Sequence, residues 1–181
     1  MTKIEKIDNE LDLLFDTLKK ETSLIDFETI CDFTIDNASR VIPWNDIVFQ
    51  GVYLIEIKNN RLFDNFDLWV EDFKSKWEDE KYIKKFTPNI KKKRVKAHTE
   101  LNDWIPLYIG KSKNIGSRIH GHIYKELHKT TFALKLQARE NLKNEVFRLK
   151  TIRIGVRNYD AIVPRIEWQL RDKINPLIGK Q

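Results

Sequence analysis

Apolar side chains near the N terminus recur every three or four residues, the spacing of an amphipathic helix. This series comprises Ile4, Ile7, Leu11, Leu14 and Leu18. A second helix is predicted to begin at Ser23 and to end before Pro43. We therefore expect residues 1–46 to form a helical extension, with acidic side chains outside and apolar side chains packed on the core or on a second subunit.

Farther along, alternating apolar and polar residues predict three short strands. The first strand is expected at Ile47–Ile57, with Tyr53 on the same face as Ile55 and Ile57. The second, at Pro106–Gly110, carries Tyr108, and the third is expected at Lys150–Val156. Helical periodicity predicts helices at Asn114–His128, Thr131–Lys150 and Asp160–Ile174. Together these elements predict a small mixed α/β or α+β domain over residues 47–181.

Residues 59–103 separate the first two predicted strands, far more than a hairpin requires. The first part, Leu62–Glu80, is acidic and aromatic and predicts a helix whose Trp69, Phe73 and Trp77 face the core. The second part, Lys81–Lys96, contains eight Lys or Arg residues and no acidic residue. We interpret residues 59–103 as an insertion made of a helix followed by a basic loop.

Charge is strongly polarised along the chain, although the net charge is only +6. Residues 1–80 hold 9 Lys/Arg and 19 Asp/Glu, a balance of −10. Residues 81–157 hold 20 Lys/Arg and 5 Asp/Glu, a balance of +15. A basic region of this kind favours a polyanionic partner. A solvated surface without a ligand is the alternative for charge taken alone.

The composition also excludes several classes of protein. The single cysteine, Cys31, excludes an intrachain disulfide framework and a zinc site built from cysteines. No apolar run is long enough to span a membrane, and no secretory signal is recognised. We therefore expect a cytoplasmic protein that does not enter a membrane.

Five side chains occur in an order that suits phosphodiester hydrolysis: Tyr53, Tyr108, Arg118, His122 and Glu167. A guanidinium fork such as Arg118 matches phosphate oxygens, and a carboxylate such as Glu167 suits one Mg²⁺ or Mn²⁺. A tyrosine is an unusual base, because its ordinary pKa near 10 leaves about one phenolate in a thousand at pH 7. Lys111, Arg118, His122 and the metal could lower that pKa or relay the proton.

These motifs resemble the GIY-YIG nuclease family. Gly51-Val52-Tyr53 is similar to the first family motif with Val for Ile, and Tyr108-Ile109-Gly110 matches the second. Arg118 lies ten residues after Tyr108 and His122 fourteen, as in the family. Residues 111–114 resemble the stretch that opens the family's first core helix. Glu167, followed by Pro176 after nine residues, resembles the metal-binding helix and its exit.

The resemblance covers residues 51–57 and 107–180 and departs from the family at two places. Gly179 stands where the family commonly has Asn, so the supporting hydrogen bond is either missing or supplied from elsewhere, for example by Asn175. The insertion at 59–103 also lies outside the family core. The implied fold is a three-stranded, mostly antiparallel sheet flanked by helices, with the helical extension and the basic insertion added.

The implied activity is that of a metal-dependent endodeoxyribonuclease. Its catalytic residues would be Tyr53, Tyr108, Lys111, Arg118, His122 and Glu167, with Glu167 as the ligand of Mg²⁺ or Mn²⁺. Because the matched motifs end near the last residue, target recognition is expected from the N-terminal helices and the insertion. Contacts with double-stranded DNA are expected from Lys91, Lys92, Lys93, Arg94, Lys113 and Asn114.

Among family members, the chain most resembles the compact type II restriction endonucleases, which cut short palindromes as homodimers. Two alternatives remain open at this stage. One is a repair, phage or mobile-element nuclease with looser specificity. The other is a nucleic-acid-binding module that has lost catalysis.

Overall fold

The computed structural model describes residues 2–179, which form an α+β fold. Its main sheet has four antiparallel strands in the order β1-β5-β2-β4. These strands are β1 (Glu28–Phe33), β2 (Gly51–Lys58), β4 (Trp104–Ser112) and β5 (Phe147–Arg153). A separate two-stranded ribbon pairs β3 (Asn89–Ile90) with β6 (Ile178–Gly179).

Six α-helices surround the sheet within the described part of the chain. They are α1 (Lys3–Leu24), α2 (Ala38–Val41), α3 (Phe66–Trp77), α4 (Lys92–Val95), α5 (Ile115–Tyr124) and α6 (Tyr159–Ile174). None of the helices within residues 2–179 combines the length and the apolar character needed to cross a lipid bilayer.

The central strand β2 is buried on both faces, which explains its nearly continuous apolar sequence. Tyr53, Ile55 and Ile57 share one face, as predicted, in the cluster that also contains residues of α3 and α5. Val52 and Leu54 face the other side, toward α6. The strands that contain Tyr53 and Tyr108 are thus confirmed, and they pair with each other directly.

The prediction of a purely helical N-terminal extension is wrong. Residues 28–33 form a strand, β1, which pairs with β5 and adds a fourth strand to the three that were expected. The physical reason is tertiary, because β1 satisfies hydrogen-bonding groups on an edge of β5 that would otherwise be open. Phe33, Ala38 and Ile42 also enter the core, so residues 28–46 are integrated with the domain.

The predicted helix at Thr131–Lys150 is also wrong. This segment contains two short 3₁₀ turns, at Leu136–Ala138 and Glu140–Leu142, and then enters β5 at Phe147. Lys135 has a left-handed backbone with φ of 56°, which interrupts any helix that begins before it. The strand therefore starts three residues earlier than its local alternation indicated.

Helix α1 projects much of its apolar face into solvent. Ile4, Ile7 and Leu14 are 78%, 57% and 64% exposed. Only the second half packs, where Leu18 joins the cluster under α6 and the Phe15 ring lies against the Arg165 guanidinium. The end of α1 is therefore confirmed to pack on the core. Its beginning does not pack on the core, and contact with a second subunit stays a prediction.

The insertion contains the predicted helix, α3, with buried Trp69, Phe73 and Trp77 stacked in series. The basic loop that follows is more ordered than expected, because it forms β3 and α4. Strand β3 pairs with β6, and the Lys91 N–H donates to the Leu177 carbonyl. These contacts hold the basic residues beside residues 177–179.

Candidate active site

A cavity of about 310 Å³ opens beside β4, the edge strand of the main sheet. It is lined by Tyr53, Tyr108, Ile109, Gly110, Lys111, Arg118, Glu167, Arg171, Ile178 and Gly179. Five of the six residues predicted to be catalytic therefore meet in one place, although they are spread over more than a hundred positions of sequence.

The five side chains reach the cavity from four different elements. Tyr53 comes from β2, Tyr108 and Lys111 from β4, Arg118 from α5, and Glu167 from α6. Asn114 is the N-cap of α5, and its side chain accepts a hydrogen bond from the Ser117 N–H at 2.9 Å. This cap sets where α5 begins, and hence where Arg118 enters the cavity one turn later.

Gly110 is required by the position of the Tyr53 ring. A Cβ at residue 110 would lie 2.6 Å from Tyr53 Cζ and closer still to the hydroxyl oxygen. Any larger residue would have to displace that ring. Gly110, the glycine of the Tyr108-Ile109-Gly110 motif, is therefore needed for steric reasons, because its lack of a side chain lets the Tyr53 ring cross β4.

His122 lies behind Tyr53, fully buried, and does not line the cavity. The Leu134 N–H donates to His122 Nδ1 at 3.1 Å. Burial, together with the charges of Arg118 and Lys125, lowers the pKa of His122 well below its ordinary value, so the ring is neutral. The imidazole hydrogen must then sit on Nε2, which donates to the Tyr53 hydroxyl oxygen at 2.8 Å.

Arg118 supplies a second hydrogen bond to Tyr53. Its Nε donates to the Tyr53 oxygen at 3.3 Å, and its Nη2 donates to the Phe132 carbonyl at 2.7 Å. Burial alone would lower the pKa of this guanidinium, but contacts with Tyr53 and Tyr108 outweigh that effect and raise it. Arg118 is thus a permanent cation held by the backbone and by a tyrosine.

The Tyr53 hydroxyl is neutral in the structure described. Burial raises its pKa well above the ordinary value, Tyr108 adds to the rise, and Arg118 opposes it. Since two N–H groups already donate to its oxygen, the hydroxyl hydrogen of Tyr53 is directed away from both of them. The same two donors would stabilise a phenolate if the proton left.

Glu167 is buried, and both of its oxygens accept from cations. Lys111 Nζ lies 2.6 Å from Oε2, and Arg171 Nη2 donates to Oε1. The Lys111 and Arg171 side chains are 35% and 28% exposed, whereas that of Glu167 is 7% exposed. The carboxylate is therefore the buried partner of two cations that can still reach solvent.

Arg171 is the cavity residue that the sequence-based prediction missed. The available signal was its spacing, because residues four apart on a helix are neighbours and an arginine after a glutamate favours an ion pair. That signal is common on helices and does not by itself mark a functional residue. The tertiary structure is needed to show that Glu167 and Arg171 both face the cavity.

The residues predicted to contact DNA divide into two groups. Lys92 and Lys93 are exposed on α4, and Lys91 is half-buried at its start. Arg94 instead donates to the Arg171 carbonyl and pairs with Asp172 at 3.0 Å, so it anchors the loop to the end of α6.

Lys113 and Gly179 have partners of their own. Lys113 is exposed and pairs with Asp160 at 2.8 Å. Gly179 lines the cavity and pairs through its backbone with Asn89. Asn175 ends α6 in a left-handed conformation, and its carbonyl lies 2.8 Å from His98 Nε2.

A metal ion would find a single protein carboxylate in this cavity. Within residues 2–179, no three His, Cys, Asp or Glu side chains converge as a ligand set. Mg²⁺ commonly keeps several waters and binds through only one or two carboxylates. Glu167 fits an ion of that kind, provided that one of the two cations leaves a carboxylate oxygen free.

Comparison with family models, curated proteins and solved structures finds no match for this chain. Function must therefore be inferred from the geometry of these residues.

Proposed function

We propose that the protein is a divalent-metal-dependent DNA endonuclease of the GIY-YIG type. The observation that supports this most strongly is the cavity itself, where two tyrosines, Lys111, Arg118 and Glu167 meet. Phosphodiester hydrolysis needs a positioned water, a cation at the phosphate and a way to move protons. Each requirement has a matching side chain in this set.

In the proposed reaction, a water oxygen attacks phosphorus and the bond from phosphorus to one nucleoside oxygen breaks. The tyrosine that acts as base must first release its hydroxyl proton to solvent, after which its oxygen takes the proton of the water. The leaving oxygen takes up a proton from solvent or from Lys111. Arg118 braces the phosphate, since its fork has five N–H donors and the contacts with Tyr53 and Phe132 use two of them. Tyr53 and Tyr108 are both candidates for the group that orients or deprotonates the water.

Substituting each tyrosine separately tests that assignment. Tyr53→Phe and Tyr108→Phe both keep the ring and remove only the oxygen. The base is the tyrosine whose loss abolishes the pH dependence of cleavage along with the rate. Equal, small losses from both would argue against a tyrosine base.

The metal proposed for this site is Mg²⁺ or Mn²⁺, held by Glu167. When bound, such an ion would supply Lewis-acid stabilisation of charge on the phosphate oxygens. Chelation with EDTA is expected to stop cleavage, and added Mg²⁺ to restore it. Undiminished cleavage in EDTA would remove the metal from the proposal.

The proposed DNA surface lies beside the cavity. Ile178 and Gly179 of β6 line the cavity, and β3, which pairs with β6, leads directly into the exposed Lys92 and Lys93. A duplex that crosses the cavity would thus pass the most basic part of the chain. Contacts of this kind supply affinity without reading sequence.

We further propose a sequence-specific, type II restriction enzyme that acts as a homodimer. The exposed apolar face of α1, at Ile4, Ile7, Leu11 and Leu14, supports a subunit contact, since apolar patches rimmed by charge favour association. Sedimentation of the wild type and of Ile7→Glu tests the contact. A monomeric wild type would contradict the dimer without bearing on the cavity.

The decisive experiment incubates supercoiled plasmid with Mg²⁺ and either wild type or Glu167→Ala. We expect nicked and linear products from the wild type alone. If neither protein cuts the plasmid while both bind it tightly, the enzyme is ruled out and a nucleic-acid-binding module is the better description. Circular dichroism of both proteins checks that the variant is folded.

Sequencing the ends cut from mixed DNA separates the remaining alternatives. One short recurrent site supports restriction, and a two-fold symmetric site also supports the dimer. Scattered cuts, or cuts directed to lesions, support a repair, phage or mobile-element nuclease.

A further inference from the structure

The ion pair between Arg171 and Glu167 places a protein cation at the position where the proposed metal would bind. Arg171 follows Glu167 by four residues on α6, and its Nη2 contacts Glu167 Oε1 inside the cavity. Lys111 occupies the other oxygen, Oε2, at 2.6 Å. In this arrangement each oxygen of the carboxylate already has a protein cation at the side where an ion would bind.

The charge of the cavity also opposes a metal in this arrangement. Lys111, Arg118 and Arg171 contribute three positive charges, and Glu167 contributes one negative charge. A dication that enters such a site is repelled, whereas a phosphodiester anion is attracted. The anion is thus expected to enter first.

We infer that Arg171 pairs with Glu167 Oε1 when DNA is absent. When DNA phosphate binds, Arg171 moves to the phosphate, and the divalent metal can then bind Oε1. This inference rests on the proposed function and adds a rule for the order of binding. A bidentate guanidinium suits phosphate at least as well as carboxylate, so phosphate can draw Arg171 away from Oε1. Metal and DNA then bind with positive coupling, because each favours the same position of Arg171.

Arg171 is placed to make that exchange, whereas Arg118 is not. The Arg171 side chain is 28% exposed, and its guanidinium contact with Glu167 is to a side chain. Arg118 is tied by Nη2 to a backbone carbonyl and by Nε to Tyr53. Arg171 thus acts through Glu167 as a positioning residue for the metal.

The test measures Mn²⁺ affinity by the electron paramagnetic resonance of free ion, with and without a mixed-sequence DNA duplex. All proteins carry Tyr53→Phe, which removes one of the two candidate base oxygens and preserves every charge in the cavity. The second change is Arg171→Met, which removes the resident cation and keeps a long, helix-compatible side chain. The matched control is Arg165→Met, which removes an equal charge from the same helix, at the guanidinium that lies on Phe15.

Without DNA, we expect Arg171→Met to bind Mn²⁺ about tenfold more tightly than the parent protein, within the usual range of coupling between sites. Arg165→Met should leave the affinity near the parent value. DNA should tighten Mn²⁺ binding to the parent protein severalfold more than to the Arg171→Met protein.

Two results would overturn the inference, and they can be told apart. If Mn²⁺ binds the parent and the Arg171→Met protein equally, and Glu167→Ala abolishes that binding, Arg171 is not the competitor but the metal site stands. If Mn²⁺ binds none of these proteins even with DNA, the metal-dependent function falls together with the inference. Equal effects of Arg165→Met and Arg171→Met would show that the change in Mn²⁺ affinity comes from the net charge of the protein. That result would also overturn the inference.

Discussion

The two walls of the cavity are held together by different forces. The tyrosine wall, made of Tyr53 and Arg118 with His122 behind them, is fixed by hydrogen bonds to the backbone at Phe132 and Leu134. The carboxylate wall, made of Glu167, Lys111 and Arg171, is held by ion pairs between side chains. Backbone partners cannot rotate away, whereas Lys111 and Arg171 can turn toward solvent. The first wall is thus preorganised, and the second can exchange partners.

The two walls also differ in how much of their side chains is exposed to solvent. His122 and Tyr53 are almost completely buried, so removing a hydrogen bond there leaves an unsatisfied buried group. Lys111 and Arg171 remain partly exposed, so water screens their attraction to Glu167. Substitutions in the tyrosine wall should therefore lower stability, while those in the carboxylate wall should change function with little effect on stability.

The largest expected effect comes from Glu167→Gln, which breaks the carboxylate wall. Cleavage of plasmid should fall by roughly 10²- to 10³-fold or more, because the proposed ligand of the metal is removed. The melting temperature should change little, since Lys111 and Arg171 can turn to water. Glu126→Gln is the matched control, because that exposed carboxylate pairs only at the surface with His128 and Lys129. Wild-type cleavage by Glu167→Gln would contradict the prediction.

Gly110→Ala should break the tyrosine wall by displacing Tyr53. The added Cβ would lie 2.6 Å from Tyr53 Cζ, so the ring must move, at a cost of about 1–3 kcal/mol in the free energy of unfolding. The cleavage rate should fall as well. Gly155→Ala is the control, because a Cβ there meets nothing within 4 Å. Urea unfolding and plasmid cleavage measure the two effects, and unchanged values for both would show that Tyr53 can shift without consequence.

The burial of His122 in the tyrosine wall should make the stability of the folded protein depend on pH. Its pKa is lowered by burial, so below pH 6.5 the unfolded chain binds a proton that the folded protein refuses. The contribution to stability is therefore full above about pH 6.5 and is lost as pH falls, by up to about 1.4 kcal/mol for each pH unit below the ordinary pKa.

Melting temperatures from pH 5 to pH 7.5 measure that loss. His122→Phe should flatten the dependence, at the cost of lower stability at pH 7.5. His128→Gln, which removes an imidazole from an exposed position, is the control substitution. A wild type whose melting temperature is flat below pH 6.5 would contradict the buried, neutral histidine.

The smallest expected effect concerns the basic loop beside the carboxylate wall. Lys92→Gln and Lys93→Gln should each weaken DNA binding and reduce the slope of log affinity against log salt by about one unit for each phosphate that the lysine neutralised. Arg94→Gln should instead lower stability, because Arg94 donates to the Arg171 carbonyl and pairs with Asp172 near the end of α6. Fluorescence anisotropy at several salt concentrations measures the slopes. Unchanged slopes for both lysine variants would place the DNA elsewhere.

Local patterns in the sequence predicted β2, β4, α3, α5 and α6, because each has a periodic apolar face. They also predicted the buried series Trp69, Phe73 and Trp77, since helical spacing alone places these rings on one side. The helical and strand patterns are encoded within single elements, so local sequence is enough to predict them. The two tyrosines, Arg118 and Glu167 were predicted to act together and do line one cavity, while the phosphodiester chemistry stays a prediction.

The tertiary structure alone decided the features that depend on distant partners. The strand β1 exists because β5 has an edge to pair with, and the basic loop lies beside the cavity because Asn89 pairs with Gly179. His122 was expected to lower the pKa of a tyrosine or to relay its proton, and it is buried behind Tyr53 as a neutral ring. Arg171 turns into the cavity. Periodicity reports which face of an element is apolar. Which other element covers that face depends on the packing of the whole chain.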